Sequence, residues 1–314
     1  MAMVQRQGAA HGGTRSALAI SMVVAVLLVA GLAAGGFRVD QHLIGAPAGG
    51  HLAALADQQA QDDQAVRRTA ADLAGGGSSL DSERDAAANN LITARNEAVI
   101  ATWLAEAGLD RADAGLERYG ALLGSTDHQQ LALGVAGTRL FAARIHDLLV
   151  KGMPAKLIAI SIHDQQLTTF ENGKRLLTTA VTTGHVPDLA TDIGPMRVLR
   201  KDSPWTMHSP WPKGSPYWYP DAVVQMVVWF TDTGEGMHDA SWQSQPYGPG
   251  SQLGSGASHG CVHVPFDAEK ALFAWAEVGT PVIVYPGDGA TLESQLRQRS
   301  VDGDGHPPET TRGA

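Results

Sequence analysis

The chain has 314 residues, a length that suffices for one or two folded domains with cores of their own. Its 23 Lys and Arg residues stand against 32 Asp and Glu residues, and the net charge of -9 argues against nucleic acid as a partner, because neutralising phosphates requires clustered basic residues. We find no phosphate-binding loop and no glycine-rich dinucleotide fingerprint.

The first predicted element is a membrane span. Residues 17–37 form an uncharged run rich in Val, Leu and Ala, close to the ~20 residues that cross a bilayer core. Arg6 and Arg15 precede it, so residues 1–16 are interpreted as a cytoplasmic leader and 17–37 as a transmembrane signal anchor. A cleaved signal peptide is the alternative. Both interpretations place the rest of the chain outside the cytoplasm, anchored to the cell membrane or released from it.

Export makes the cysteine content informative. The chain has one cysteine, Cys261, which has no partner for an intramolecular disulfide. A free thiol in an oxidising compartment is exposed to oxidation, so its presence calls for an explanation. Taken alone, an inert buried thiol is the simpler interpretation, and the neighbouring residues decide between the two.

Residues 38–152 are predicted to be helical, because good helix formers dominate and β-branched residues are few. One helix is predicted over 81–107 and another over 127–150, with breaks at the glycines between them. Two interpretations remain open for this region, a stalk that spaces the next domain from the membrane and a small bundle that binds a partner. No residue in it indicates chemistry, which favours a spacer or a bundle without a ligand.

From residue 156 onward the pattern changes to short β-strands. Asn172-Gly173 between two such runs is a strong hairpin signal, since both central residues of a type I′ turn need positive φ. A helix is predicted over 266–278 with Asp267 as its N-cap. Strands are predicted at 156–162, 166–170, 176–183, 196–200, 223–230 and 281–285. This pattern predicts a mainly β sandwich or barrel, followed by a disordered polar tail at 287–314.

The segment 203–247 is rich in tryptophan and proline. It contains five of the seven tryptophans, and prolines restrict helix and central-strand structure there. These aromatic side chains either line a substrate groove or pack the core, and core packing is favoured for Trp229, which falls within a predicted strand.

The residues around Cys261 have the chemistry of a thiol nucleophile. The segment 257–265 reads Ala-Ser-His-Gly-Cys-Val-His-Val-Pro. Only the thiolate attacks well, and a nearby histidine can take its proton, but the spacing alone does not choose among His238, His259 and His263. Zinc is a weaker interpretation, because His-x-Cys-x-His is not a usual zinc pattern and no second cysteine exists. We expect no metal and no cofactor.

These residues resemble the L,D-transpeptidase catalytic domain, also called the YkuD domain. The resemblance rests on the Ser-His-Gly-Cys run at 258–261 and on the His-Asp-Ala-Ser-Trp segment at 238–242. It extends in order over residues 156–286, which we predict to be the catalytic domain. The supporting segments are the opening hairpin at 158–184, the Thr-Asp-Ile-Gly segment leading into a strand at 191–199 and the closing strand at 279–284.

The resemblance implies a role for each catalytic position. Cys261 is the expected nucleophile and His238 its general base. His259 is expected to support the thiolate or the site around it, and Ser258 to form hydrogen bonds within the site. Gly260, together with the Cys261 backbone N–H, is expected to contribute to the oxyanion hole.

As substrate-binding residues we predict His263, Trp242, Asp239 and Tyr219. Two of them depart from the family pattern: His263 stands where the family usually has Asn or Arg, and Asp239 where a small residue is common. Asp192 replaces the proline of the Thr-Pro-x-Gly segment. These departures leave the substrate contact of His263 and the effect of Asp239 on the base open.

The resemblance implies that the protein forms peptidoglycan cross-links through a cysteine acyl-enzyme on tetrapeptide stems. It also implies carbapenem-type β-lactams as inhibitors. Two alternatives remain at this stage. One is an L,D-carboxypeptidase, which resolves the same acyl-enzyme with water, and the other is a non-catalytic cell-wall-binding module.

Overall fold

The computed structural model describes residues 46–76, 79–104 and 107–298. The predicted leader and membrane span lie outside these ranges, and no helix within them is long and apolar enough to cross a membrane. The chain divides into two units, Met1–Gln59 and Ala60–Ala314. The described part of the first unit is the start of helix α1, and the second unit contains every other element.

Within the described residues four α-helices precede the strands: α1 Ala46–Gly75, α2 Asp81–Trp103, α3 Leu109–Gly120 and α4 His128–Gly152. Asp127 caps α4, since its side chain accepts a hydrogen bond of 2.8 Å from the N–H of Gln130. Close packing of α3 against α4 requires Gly137, where a Cβ would come within 2.0 Å of the Tyr119 ring. The predicted helices are thus present, and they form a bundle rather than a stalk.

The part of the chain that the structure describes contains eleven strands, which form three sheets. They are β1 Lys156–Ser161, β2 Gln166–Glu171, β3 Lys174–Ala180, β4 Gly194–Arg197, β5 Arg200–Asp202, β6 Trp205–Met207, β7 Ala222–Val224, β8 Val227–Trp229, β9 Gly236–Asp239, β10 Val262–Val264 and β11 Pro281–Tyr285. The larger sheets have the orders β3-β2-β1-β11-β4 and β10-β9-β8-β5, and β6 pairs with β7. Asn172 and Gly173 both have positive φ between β2 and β3, which confirms the predicted hairpin.

The two larger sheets enclose one hydrophobic core. Ile158 and Ile160 of β1 pack in it with Met237 of β9 and Val262 of β10, and all four are fully buried. Helix α5, Phe266–Trp275, contributes Leu272 to the same core. The predicted β sandwich is therefore present. Helix α5 begins after Pro265, which occupies the N-cap position, so the N-cap predicted at Asp267 is wrong.

The other face of the five-stranded sheet packs on the helical bundle. Leu157 and Ala159 of β1 and Ile283 of β11 belong to a second core, together with the buried side chains of the bundle. Strand β1 is consequently apolar on both faces, as strands covered on both sides are. The described chain is a mixed fold of helices and sheets.

The segment after β11 is helical where the sequence analysis predicted a disordered tail. Helix α6 spans Leu292–Arg297, and the side chain of Thr291 caps it. Buried Leu292 joins the bundle core, and this burial stabilises a helix too short to be stable alone. The prediction is thus wrong for residues 287–298, and the remainder of the predicted tail lies outside the described residues.

The strand predicted over 223–230 is two strands. Strands β7 and β8 are separated by Gln225 and Met226, whose N–H groups both donate to Oδ1 of Asp239, at 2.8 and 2.9 Å. A carboxylate from β9 therefore stabilises a turn that the local sequence does not signal.

Candidate active site

A cleft of about 1220 Å³ lies beside Cys261. Cys261 directly precedes β10, its side chain is partly exposed, and its Sγ lies 3.8 Å from the carbonyl oxygen of Gly234. Most predicted site residues line the same cleft, namely Cys261, His238, His259, Ser258, His263, Trp242 and Tyr219. The fold thus brings together segments that are far apart in the sequence.

His238 lies on β9 with its ring buried. Its Nδ1 lies 2.8 Å from the carbonyl oxygen of Asp239, and because a carbonyl only accepts, Nδ1 carries the proton. The other ring nitrogen, Nε2, therefore holds the lone pair in the neutral ring. Burial lowers the pKa of His238 below its ordinary value, although the carbonyl and carboxylate of Asp239 act in the opposite direction. A neutral imidazole with a fixed tautomer is the form that a general base requires.

The Ser258–Cys261 loop is held by its own hydrogen bonds. The Ser258 hydroxyl donates to the carbonyl of Cys261 and accepts the N–H of Gly260 at 3.1 Å. Both hydrogen bonds of Ser258 lie within its own loop. They leave the N–H of Gly260 unavailable to an oxyanion, which corrects the prediction for Gly260. The predicted oxyanion donor that remains is the N–H of Cys261.

Gly260 is required by backbone conformation and by space. Its φ is +117°, a region that favours glycine, and a Cβ there would lie 2.6 Å from Oε1 of Glu235. The carbonyl of Gly260 accepts the Thr191 hydroxyl at 2.7 Å, and that hydroxyl accepts the N–H of Gly184 at 2.9 Å. Thr191 thus connects the Ser258–Cys261 loop to the end of the opening hairpin.

Aromatic rings from segment 203–247 form one wall of the cleft. The His259 ring contacts Tyr219 and Trp211, with centroids 4.9 and 5.5 Å apart. Burial and the charge of His185 lower the pKa of His259. The groove interpretation is therefore correct for Trp211. Trp229 is buried within β8 as expected, and it also borders the cleft.

Tyr219 presents an uncharged phenol to the cleft. Its hydroxyl donates to the carbonyl of His208 at 3.1 Å. Burial, the negative charge of the Cys261 thiolate and Asp221 raise the pKa of Tyr219 to about 12. The ring is therefore a neutral, apolar surface near the sulfur at physiological pH.

A second group of aromatic rings contacts His238. The ring of His263 lies 5.0 Å from that of His238, and Trp242 contacts both rings, at 5.7 and 5.9 Å. Burial lowers the pKa of His263 well below its ordinary value, and His238 and His259 lower it further. His263 is consequently a neutral ring next to that of His238.

Asp239 does not occupy the position predicted for a substrate contact. Its side chain is buried, and Oδ1 accepts the two N–H groups of the turn between β7 and β8. The buried carboxylate therefore has a structural role.

Two residues that line the cleft and contact predicted site residues, Glu235 and Gln243, were not singled out from the sequence. Glu235 lies beneath Gly260, and the side chain of Gln243 contacts His263. Neither residue belongs to a recognisable motif, and each meets its partner only through the tertiary fold. No local signal marks them.

Comparison with protein families gives one match. Residues 155–284 match the family model of YkuD, the L,D-transpeptidase catalytic domain. No curated protein matches the chain. The family is the one that the motifs resemble.

Solved structures that resemble the chain are L,D-transpeptidases. One from Mycobacterium smegmatis is 27% identical, with 41% of this chain and 58% of that chain covered and a TM-score of 0.37. The NMR structure of the catalytic domain from the E. faecium L,D-transpeptidase is 31% identical, covering 42% and 98%, with a TM-score of 0.37. An L,D-transpeptidase in complex with imipenem is 28% identical, covering 41% and 58%, with a TM-score of 0.37. The chain thus spans less than two thirds of the first and third of these structures.

Proposed function

Residues 155–284 belong to the YkuD family of L,D-transpeptidase catalytic domains, and we propose that the chain forms peptidoglycan cross-links through an acyl-enzyme on Cys261. The substrate is the tetrapeptide stem of peptidoglycan, and the bond attacked joins an L-centre to the terminal D-residue. This assignment places the catalytic domain on the outer side of the cell membrane, where that substrate lies.

One observation carries the proposal. The only cysteine of the chain lines a cleft with His238, whose Nδ1 proton is committed to the Asp239 carbonyl. The lone pair on Nε2 is then the proton acceptor that a thiol needs. A purely structural cysteine would not require a histidine of fixed tautomer in the same cleft.

Acylation follows from this arrangement. Nε2 of His238 takes the thiol proton, and the sulfur attacks the carbonyl carbon, forming a C–S bond and an oxyanion. Hydrogen-bond donation from the Cys261 N–H stabilises that oxyanion. As the C–N bond breaks, His238 returns the proton to the departing nitrogen, and the terminal D-amino acid leaves.

Deacylation repeats the same exchange with a new nucleophile. The amine of a neighbouring stem attacks the thioester carbon, a C–N bond forms, and the C–S bond breaks. His238 takes a proton from the attacking nitrogen and returns it to the sulfur. Splitting one acyl transfer into two steps of this kind is the advantage of covalent catalysis.

A β-lactam provides the test, because its strained amide acylates a thiol nucleophile. The resulting adduct lasts long enough for its mass to be measured. We expect imipenem to add one acyl group per chain, seen by intact mass spectrometry. Cys261→Ala should fold with an unchanged melting temperature and take up none. His238→Gln should fold and acylate at least ~100-fold more slowly, the lower range for a lost general base. An adduct at full occupancy on Cys261→Ala would refute the proposal.

Product analysis then separates transfer from hydrolysis. Wild-type protein incubated with tetrapeptide stems should yield a cross-linked dimer. Tripeptide as the main product would indicate an L,D-carboxypeptidase instead, and an unreactive Cys261 with neither product would indicate a non-catalytic wall-binding module.

A further inference from the structure

His263, the residue next to the proposed base His238, is fixed by contacts of its own. His263 lies on β10 in register with His238 on the parallel strand β9. On its other side His263 exchanges two backbone hydrogen bonds with Thr182, of 3.0 and 2.8 Å. The backbone of His263 is therefore fixed between two segments, and its side chain is 5% exposed, which leaves the ring little room to move.

Gln243 fixes the ring. Its Oε1 lies 2.7 Å from Nδ1 of His263, while its Nε2 donates to Oγ1 of Thr182 at 2.8 Å and to the carbonyl of Gln245 at 3.3 Å. Because the Gln245 carbonyl only accepts, the nitrogen of the Gln243 amide faces Gln245 and its oxygen faces His263. Nδ1 of His263 is therefore the protonated nitrogen.

The hydrogen bonds run in one direction, away from the cleft. Nδ1 of His263 donates to Gln243, Gln243 donates to Thr182, and the Thr182 hydroxyl donates to Oγ of Ser251 at 3.0 Å. Turning the Gln243 amide around would set its nitrogen against the protonated Nδ1 of His263 and its oxygen against the Gln245 carbonyl. The order of the chain thus defines the tautomer and the orientation of the His263 ring, although the Gly256 carbonyl also faces that ring.

The orientation of His263 matters because its ring packs against the base. The two rings are 5.0 Å apart, and Trp242 closes the third side of the pair. The His238 ring donates from Nδ1 to the Asp239 carbonyl, and the neighbouring rings limit its rotation about that hydrogen bond. His263 is the ring in register with it.

We propose that Gln243 is a positioning residue for acylation: it fixes the ring of His263, which in turn holds the ring of His238 toward Cys261. This inference rests on the proposed function, because it assigns a task to Gln243 only if His238 is the base. Gln243 also lines the cleft, so the rival explanation is a direct effect on cleft shape that does not depend on His263.

A double-mutant cycle separates the two explanations. The measurement is the second-order rate constant for acylation by imipenem in wild type, Gln243→Ala, His263→Asn and the double variant. We expect each single variant to lose ~10-fold or more, because small displacements of a catalytic group are costly. The double variant should match His263→Asn within about twofold, since residues that act through one another are not additive.

The pH profile gives a second readout. Removing the Gln243 side chain admits water to the ring pair, so the lowered pKa of His238 should return toward its ordinary value. The acid limb of the acylation profile should then move to higher pH in Gln243→Ala. Gln130→Ala, an exposed glutamine on α4, should leave rate and profile unchanged.

The outcomes are distinct. A Gln243→Ala variant with the wild-type rate and profile would overturn the positioning role, and so would effects that multiply in the double variant. If His263→Asn shows no melting transition, the rate and profile of Gln243→Ala alone decide. A wild-type protein that imipenem does not acylate would instead remove the proposed function, and the positioning role with it.

Discussion

Asp239 follows the proposed base in the sequence, yet the two side chains have different surroundings. The imidazole of His238 lines the cleft, while the Asp239 carboxylate holds the turn between β7 and β8. A charge directly after the base therefore serves the fold. It still acts on the base at a distance, because it raises the pKa of His238 against the effect of burial.

This assignment predicts how substitutions at Asp239 differ. Asp239→Ala leaves two backbone N–H groups without their acceptor and should lower the free energy of unfolding by ~1–3 kcal/mol. Asp239→Asn keeps an acceptor oxygen, so its free energy of unfolding should fall clearly less than that of Asp239→Ala. Urea unfolding measures both, and equal losses in the two variants would show that the charge, rather than hydrogen bonding, is what matters.

At this scale the sequence singled out Cys261 and His238, which lie in one cleft, but not the residues that support them. Cys261 and His238 have chemistry that a short motif exposes. Gln243 is a common polar residue whose role arises only when a loop brings it to His263. Its contact spans 20 positions in the sequence, and no periodicity or spacing signals such a contact.

Among the elements, helix α5 contains an ionisable group in an unusual environment. Glu269 is fully buried, and within the described chain neither of its carboxyl oxygens has a hydrogen-bond partner. Burial first and Asp239 second raise the pKa of Glu269 well above its ordinary value, while Lys201 acts in the opposite direction. The group is held protonated across a range of pH in which an unfolded chain would release its proton.

The sign of the resulting pH dependence follows. Above the ordinary pKa of 4.5 the folded state binds more protons than the unfolded state, so Glu269 lowers stability as pH rises toward its folded-state pKa. Glu269→Gln does not titrate, so it should gain stability relative to wild type over that window. The pH-dependent part of the difference in the free energy of unfolding between Glu269→Gln and wild type should vanish as pH falls to about 4.5 and below.

Urea unfolding across this range tests the prediction. Asp147→Asn, at an exposed position on α4, is the control and should show the same pH dependence as wild type. A difference between Glu269→Gln and wild type that does not change with pH would contradict the prediction.

Elements with local signals were predicted well, and those that depend on distant partners were not. The β2–β3 hairpin follows from Asn172-Gly173. The turn between β7 and β8 has neither Gly nor Pro, because Asp239 supplies its acceptor from another strand. Helix α6 forms in a polar segment because Leu292 docks into the bundle core.

For the molecule as a whole, the bundle and the sandwich share a core. The face of β1 and β11 that contacts the bundle is apolar, so neither part has a complete surface without the other. Asn96 of α2 strengthens this connection. Its Nδ2 donates to the carbonyl of Gly287, and its Oδ1 accepts from the N–H of Gly289 and from Nε2 of Gln295, at 3.0 to 3.1 Å.

Loss of this side chain should therefore weaken the attachment of the segment after β11. Asn96→Ala should lower the free energy of unfolding by ~1–3 kcal/mol, because it leaves polar groups at the interface without partners. Asn90→Ala, an exposed asparagine on the same helix, should change it little. Thermal unfolding compares the two, and equal melting temperatures would argue that the segment is not held by Asn96.

The single sulfhydryl of this protein has a practical consequence. Any maleimide or iodoacetamide dye can react with the chain at one position only, and that position lines the cleft. An attached fluorophore would lie beside Trp211 and Tyr219, where quenching by aromatic rings would report movement of that wall.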